Sequence, residues 1–362
     1  MKETLGLVGA VLIVLAAATA VVQILRRRKD VAIDPAILET FRRRVRAWWI
    51  LTAVLAATLL IGQTATVVLF GLIAFWALRE FITLTPTRPG DHRTLFWVFF
   101  LFTPLQFVLV GMERYGLYAI LIPVYVFLFI PARIAMSGDP KRFLERTAKI
   151  QAGLLICVYC LSFAPALVTL TLPDTGTDAP VNDWPFVLPE MRDKPAWLRG
   201  NEGEPELAPP PARGPYDRDA NAGARLLFFF ILIVQLSDAL QYAWSQIPSR
   251  HVIVPTINPT KTWEGLLGGT ASVTLVGAAL WWATPFPYWF AGLMSAVASL
   301  LGFAGSLTMS AIKRDRGVKD FGTLVEGHGG VLDRLDSICF AAPVFFHFTR
   351  YYLVYKGVLD PI

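Results

Sequence analysis

The segment FAGLMSAVASLLGFAGSLTMSAIKRDRGVKDFGTLVEGHGGVLDRLD, residues 290–336, passes without interruption from apolar sequence into densely charged sequence. Phe290 to Ile312 exceeds the ~20 apolar residues that cross a bilayer as a helix. Ser310 to Asp336 then holds five cations (Lys313, Arg314, Arg316, Lys319, Arg334), five carboxylates (Asp315, Asp320, Glu326, Asp333, Asp336), five glycines and one histidine. Lys and Arg contact phosphate oxygens as point charges or forks. Carboxylate oxygens suit Mg²⁺, which takes one or two of them together with substrate phosphates. Gly327, Gly329 and Gly330 around His328 let backbone N–H groups come close to an anion. Asp333 and Asp336 are three residues apart at the start of the next apolar segment, so on a helix they share a face and present two carboxylates to one cation. A loop that only set topology would explain the cations, but neither the acids nor the glycines. The composition is that of a polyphosphate and metal site at a membrane surface.

Outward from this junction the chain is mostly apolar: of its 362 residues 55 % are hydrophobic and 17 % charged. Soluble domains are about a quarter charged, so an ordinary soluble protein is excluded. Ten spans are expected: Leu5–Leu25, two within Ala47–Leu84 parted at Gly62-Gln63, Leu95–Val110, Tyr115–Ile130, Ala148–Leu172, Arg225–Trp244, Leu266–Trp282, Phe290–Ile312 and Leu335–Val354. The cations Arg26 to Lys29 follow the first span rather than precede it, which reads as a retained span and not a secretory signal. Pro173 to Ala224 holds ten of the 25 prolines and ten acids, too little apolar sequence for a core. The expected fold is therefore all-α: a polytopic integral membrane protein with about ten transmembrane helices and a cytoplasmic-face active site. It divides into N-terminal membrane spans with basic loops (1–172), an extracytoplasmic proline-rich acidic loop (173–224) and a catalytic membrane region (225–362).

With the loop after residue 25 placed inside, 23 of the 33 Lys and Arg fall on the cytoplasmic side, as short-loop cations should. The expected location is the inner cell membrane, with both termini outside. Asp238 lies in the Arg225–Trp244 span on one face with Gln235, Gln241, Tyr242 and Ser245, and a carboxylate there has to face a cavity or a cation. Cys157-x-x-Cys160 has zinc spacing but no further ligands nearby, and is read as apolar packing.

The pattern Ser310-x-x-Lys313-Arg314, Gly317-Val318-Lys319-Asp320 and Gly327-His328-Gly329-Gly330-x-x-Asp333-Arg334-x-Asp336 closely resembles the signature of phosphatidate cytidylyltransferases, the CDP-diacylglycerol synthases. Asp238 followed by Pro259-Thr260-Lys261-Thr262-Trp263-Glu264-Gly265 resembles an upstream motif of the same family. These motifs cover roughly the C-terminal third, and the rest is similar only as a row of spans. One position departs: where the family usually carries Gly-Asp-Leu, with its Asp understood as a metal ligand, this chain has Gly305-Ser306-Leu307.

The resemblance implies transfer of CMP from CTP to phosphatidate, with Mg²⁺ and room for a second cation such as K⁺. It implies catalytic roles for Lys313, Arg314, Lys319, Asp320 and Asp333, with Asp333, Asp336 and Asp238 as metal ligands. Substrate contacts are implied for Lys261, Thr262, Glu264, Ser310, Gly327, His328, Gly329, Gly330 and Arg334. The expected partners are CTP, phosphatidate and membrane lipid, with no nucleic acid and with a homodimer left open. Three alternatives stay open: transfer to another lipid phosphate, a catalytically weakened lipid-binding relative in which Ser306 has cost the site its metal, and a transporter using Asp238.

Overall fold

A computed structural model describes residues 61–84, 87–170, 222–247, 251–322 and 329–356, with isolated helical positions before residue 61. The first expected span, the first of the Ala47–Leu84 pair, nearly all of the 173–224 loop, Gly327 and His328 lie outside the described residues. The chain is mostly helical. In order it forms α1 (Gln63–Thr83), α2 (Pro89–Gly111), α3 (Tyr115–Ala135), α4 (Phe143–Ala166) and α5 (Ala222–Trp244). Then come β1 (Val252–Val254), β2 (Asn258–Thr262), α6 (Trp263–Ala279), α7 (Tyr288–Asp315) and α8 (Leu332–Tyr355).

Six of these helices, α1 to α5 and α7, are long and apolar enough to cross a membrane, so this is a membrane protein. The ten expected spans are not all found. Among the described residues, α6 and α8 take two of the remaining places but fall short of that measure. At 17 residues α6 is only ~26 Å long at 1.5 Å per residue, less than a hydrocarbon core of ~30 Å. The surface of α8 is interrupted by Asp333, Arg334, Asp336, His347 and Arg350. The sixth expected span starts earlier than Ala148, at Phe143, because α4 carries its own charged first turns.

The all-α expectation holds apart from one short hairpin. Residues 252–262, read as a loop, form an antiparallel hairpin with Val252 opposite Thr262 and Val254 opposite Asn258. The β-branched run Val252-Ile253-Val254 favours extended backbone. The hairpin hands the chain directly to α6, whose N-cap is Thr262: its Oγ1 accepts a hydrogen bond from the Gly265 N–H at 3.0 Å, filling an otherwise unpaired donor of the first turn.

Helices α5 to α8 form a tight bundle because glycines stand where they cross. A Cβ on Gly265 would lie 2.7 Å from the Gln241 carbonyl oxygen, and one on Gly269 2.7 Å from the Gln241 nitrogen, so α6 rides on the backbone of α5. A Cβ on Gly305 would meet the Asp336 carbonyl at 2.6 Å, fixing α7 against α8. This close approach of small residues is how helices associate where lipid supplies no hydrophobic drive. On the other side α1 packs between α4 and α8, burying Ala74, Ala77, Leu78, Leu161, Phe163 and Phe346. Cys157 and Cys339 are buried in the same core as free thiols. Asp91 at the start of α2 receives both Nε and Nη2 of the buried Arg146 on α4, and Arg88 pairs with Asp139 at 2.9 Å. The Arg88 hydrogen bond and the Lys141 N–H hold the Asp139 carboxyl below its ordinary range.

Candidate active site

One cavity of about 250 Å³ gathers the chemistry of the C-terminal bundle. Its walls come from five places: Asp238, Gln241 and Tyr242 on α5; Asn258, Thr260, Lys261 and Thr262 on the hairpin; Gly265 and Leu266 on α6; Phe303 and Ser306 on α7; and Asp333, Arg334 and Asp336 on α8. Segments far apart in the chain are brought to one wall of polar groups. Asp238 does face a cavity, as a carboxylate inside an apolar helix must.

Asp336 is half-buried at the cavity; its Oδ1 accepts the Ser337 N–H at 2.8 Å, and the charges of Asp238, Lys261 and Lys313 all act on it. Lys261 reaches in from β2 with its Nζ 5.0 Å from the Phe303 ring centre, within cation–π reach of that ring. Asp333 is engaged otherwise. Its Oδ1 accepts Lys313 Nζ at 2.8 Å, while its Oδ2 accepts the N–H groups of Phe321 at 2.8 Å and Gly330 at 2.9 Å. Both carboxylates line the cavity with Asp238, but Asp333 also ties Lys313 to Phe321 and Gly330.

The other expected site residues sort by what they touch. Ser310 is largely buried; its Oγ donates to the Ser306 carbonyl at 2.8 Å and accepts from Asn258 Nδ2 at 3.1 Å, joining α7 to the hairpin. Arg314 donates through Nε to the Ile257 carbonyl at 3.2 Å, again binding hairpin to α7. Lys319 and Asp320 are exposed beyond the end of α7. Arg334 is exposed at the cavity wall, and its carbonyl accepts Gln235 Nε2 at 3.4 Å. Gly329 has φ +80°, and a Cβ there would meet Asp333 Oδ2 at 2.8 Å; Gly330 has its N–H committed to Asp333. Both glycines are required by packing within the turn.

Thr262 lines the cavity while serving as the cap of α6. Glu264 closes the hairpin instead: its carboxylate accepts the His251 N–H at 3.0 Å and lies 2.6 Å from His251 Nδ1. The backbone N–H of His251 and then its ring hold Glu264 down to about 2. A carboxyl with a depressed folded pKa contributes stability above its unfolded pKa and loses it as pH falls. Amide protection of the 251–264 hairpin, relative to the intrinsic exchange rate at each pH, should therefore fall as pH drops from 4.5 toward 2, and Glu264→Gln should abolish that dependence; an unchanged acid profile in the variant would contradict it.

Sequence reasoning missed Glu80. This residue of α1 is buried, and its carboxylate accepts the N–H groups of Val331 at 3.0 Å and Leu332 at 2.9 Å. The signal was available, a lone acid inside an apolar span, which is the criterion that selected Asp238.

Among the described residues no three His, Cys, Asp or Glu side chains form a group able to enclose a metal. Mg²⁺ needs only one or two carboxylates when substrate phosphates supply the rest, so Asp238 and Asp336 on facing helices fit a cation shared with substrate.

The family model of the cytidylyltransferase family matches residues 42–352. An uncharacterized protein YnbB of Escherichia coli K12 is 33 % identical over 312 residues, 85 % of this chain and 87 % of that protein. The phosphatidate cytidylyltransferase of Staphylococcus epidermidis is 38 % identical over 124 residues, 34 % of this chain and 48 % of that enzyme. That of Mycobacterium leprae is 39 % identical over 126 residues, 34 % of this chain and 39 % of that enzyme. The similarity to the named enzymes thus spans less than half of their length.

Proposed function

Because the chain belongs to the cytidylyltransferase family, we propose that it transfers CMP from CTP to phosphatidate at the cytoplasmic face of the inner membrane, giving CDP-diacylglycerol and pyrophosphate. The observation that carries this reading is the single cavity in which Asp238, Lys261, Ser306 and Asp336 converge from α5, the hairpin, α7 and α8. An oxygen of the lipid phosphate bonds to the α-phosphorus of CTP while the bond from that phosphorus to the β-phosphate bridge breaks. The lipid phosphate is ionised near neutral pH and needs no strong base; repulsion between two anions is the barrier. The side chains therefore act by positioning and charge neutralisation. Lys261 and Arg334 meet phosphate oxygens at the cavity, Lys313, Arg314 and Lys319 extend the cationic rim, and the exposed Asp320 stands beside the turn. Asp238 and Asp336 would hold Mg²⁺, which when bound supplies Lewis-acid neutralisation of phosphate charge. The lipid enters sideways with its chains among α5 to α8.

Ser306 faces the same cavity and supplies no charge, so the site works with two carboxylates. Purified protein in mixed micelles with CTP and Mg²⁺ is expected to form CDP-diacylglycerol, with phosphatidate preferred over an isoprenoid phosphate as acceptor. Ser306→Asp is expected to lower the Mg²⁺ concentration for half-maximal rate by about tenfold, since affinity follows ligand charge. Silence of both proteins with every lipid phosphate would reject the reading, and activity with only the isoprenoid acceptor would move it to that substrate.

A further inference from the structure

We propose that Glu80 is a positioning residue of the transfer reaction, a carboxylate supplied by the N-terminal half of the chain that holds both ends of the glycine-rich turn and the start of α8. The role rests on the proposed function of the cavity beside it. The N-terminus of a helix leaves N–H groups unpaired, and α8 has no side-chain cap of its own because its N-cap is Val331. Glu80, 251 residues earlier, provides the missing acceptors: Oε1 takes Val331 N–H and Oε2 takes Leu332 N–H. A carboxylate is well placed at the positive end of a helix dipole.

The same carboxylate abuts both sides of the turn. A Cβ on Gly322 would lie 2.7 Å from Glu80 Oε1, and a Cβ on Gly330 would run into Oε2. Next to it, Phe81 stacks on Phe321 with ring centres 6.3 Å apart and planes at 18°. Phe321 in turn underlies Lys313 Nζ at 5.4 Å and gives its N–H to Asp333. Glu80 therefore fixes Gly322 against Gly330, Val331 and Leu332, and with them how Asp333 and Asp336 are presented at the start of α8. A local Ser or Asp at position 331 would cap α8 at less cost than a buried acid from another helix. What a local cap would not do is fix the turn against α1.

The test uses the full chain in lipid nanodiscs with Glu80→Gln, Glu80→Ala and Gly322→Ala. Three quantities are read: kcat and KM for CTP, amide exchange of residues 321–332, and the thermal midpoint. Glu80→Gln keeps the size but turns an NH₂ group toward one backbone N–H. It is expected to lower kcat by about a hundredfold, the effect of a 1 Å misplacement, with little change in KM and faster exchange at Val331 and Leu332. Gly322→Ala presses a methyl on the same carboxylate without removing any hydrogen-bonding partner, and should lower kcat in the same sense even if Glu80→Ala does not fold. Wild-type kcat in Glu80→Gln, or a loss of kcat that disappears once assay temperatures are matched to each thermal midpoint, would overturn the proposal. A wild-type protein that makes no CDP-lipid would refute the function instead; in that case unchanged exchange at 331–332 in Glu80→Gln would refute the clamp as well.

Discussion

Asp336→Asn is expected to reduce CTP-dependent CDP-lipid formation by about a thousandfold, or ~4 kcal/mol of transition-state stabilisation, while leaving the protein at least as stable as the wild type. The two halves of this expectation have one cause. Asp336 is half-buried at the cavity beside Asp238, with the charges of Lys261 and Lys313 also acting on it. Two carboxylates brought to one cavity suit a cation that joins them during the reaction. Asn keeps the shape and an oxygen to accept the Ser337 N–H, so α8 has no reason to loosen, and removing one of two like charges lowers their mutual repulsion. A lower turnover number together with an equal or higher thermal midpoint is the expected pair of results, measured at saturating Mg²⁺ in the same detergent. Near-normal turnover would exclude Asp336 from the metal site. Loss of turnover with an equal loss of stability would make it a packing residue.

How much of this was legible in the sequence depends on the range of the interaction. The junction at Ile312–Lys313 announced a charged site at the end of a membrane helix, and α7 does end at Asp315 with Lys313 and Arg314 in its last turn. Asp238 was legible because an acid in an apolar helix has few places to go, and it lines the cavity. The hairpin was not, because β1 is three residues long and two flanking prolines, Pro248 and Pro255, argue for a loop. Without the hairpin, the cap that Thr262 gives α6 and the closure of Glu264 onto His251 cannot be read from the sequence. A motif marks positions that matter and is silent about which face the substrate and which hold the turn. Glu80 shows the outer limit: its acidity inside α1 is visible in the sequence, but its partners lie 251 and 252 residues away, and no periodicity reaches that far. Among the described residues the span count is met only in part, for a related reason. A helix packed by glycines against its neighbours, as α6 is, or carrying the site's own charges, as α8 does, need not resemble a helix that faces lipid.

Lys313→Met and Asp333→Asn are each expected to destabilise the protein by about 3 kcal/mol, because removing one partner of a buried pair leaves the other without compensation. The pair is close and largely shielded: Lys313 Nζ lies 2.8 Å from Asp333 Oδ1, with side chains 15 % and 8 % exposed. In the double variant neither charge is left alone, so stability should recover by at least half of the summed losses, a coupling that a double-mutant cycle in thermal or denaturant unfolding reads directly. Activity should behave differently. If Lys313 meets a phosphate oxygen during the reaction and Asp333 only holds it, both single variants lose about a hundredfold in kcat, and the double variant, though refolded to near-normal stability, stays as inactive as Lys313→Met. Asp333→Asn has a second handicap, since Asn offers one acceptor oxygen where Phe321 and Gly330 N–H groups and Lys313 now share two. Its loss should therefore be accompanied by faster exchange at Phe321, which Lys313→Met should not cause. Recovery of turnover together with stability in the double variant would show that the pair is structural and that the phosphate is held by Lys261 and Arg334 instead.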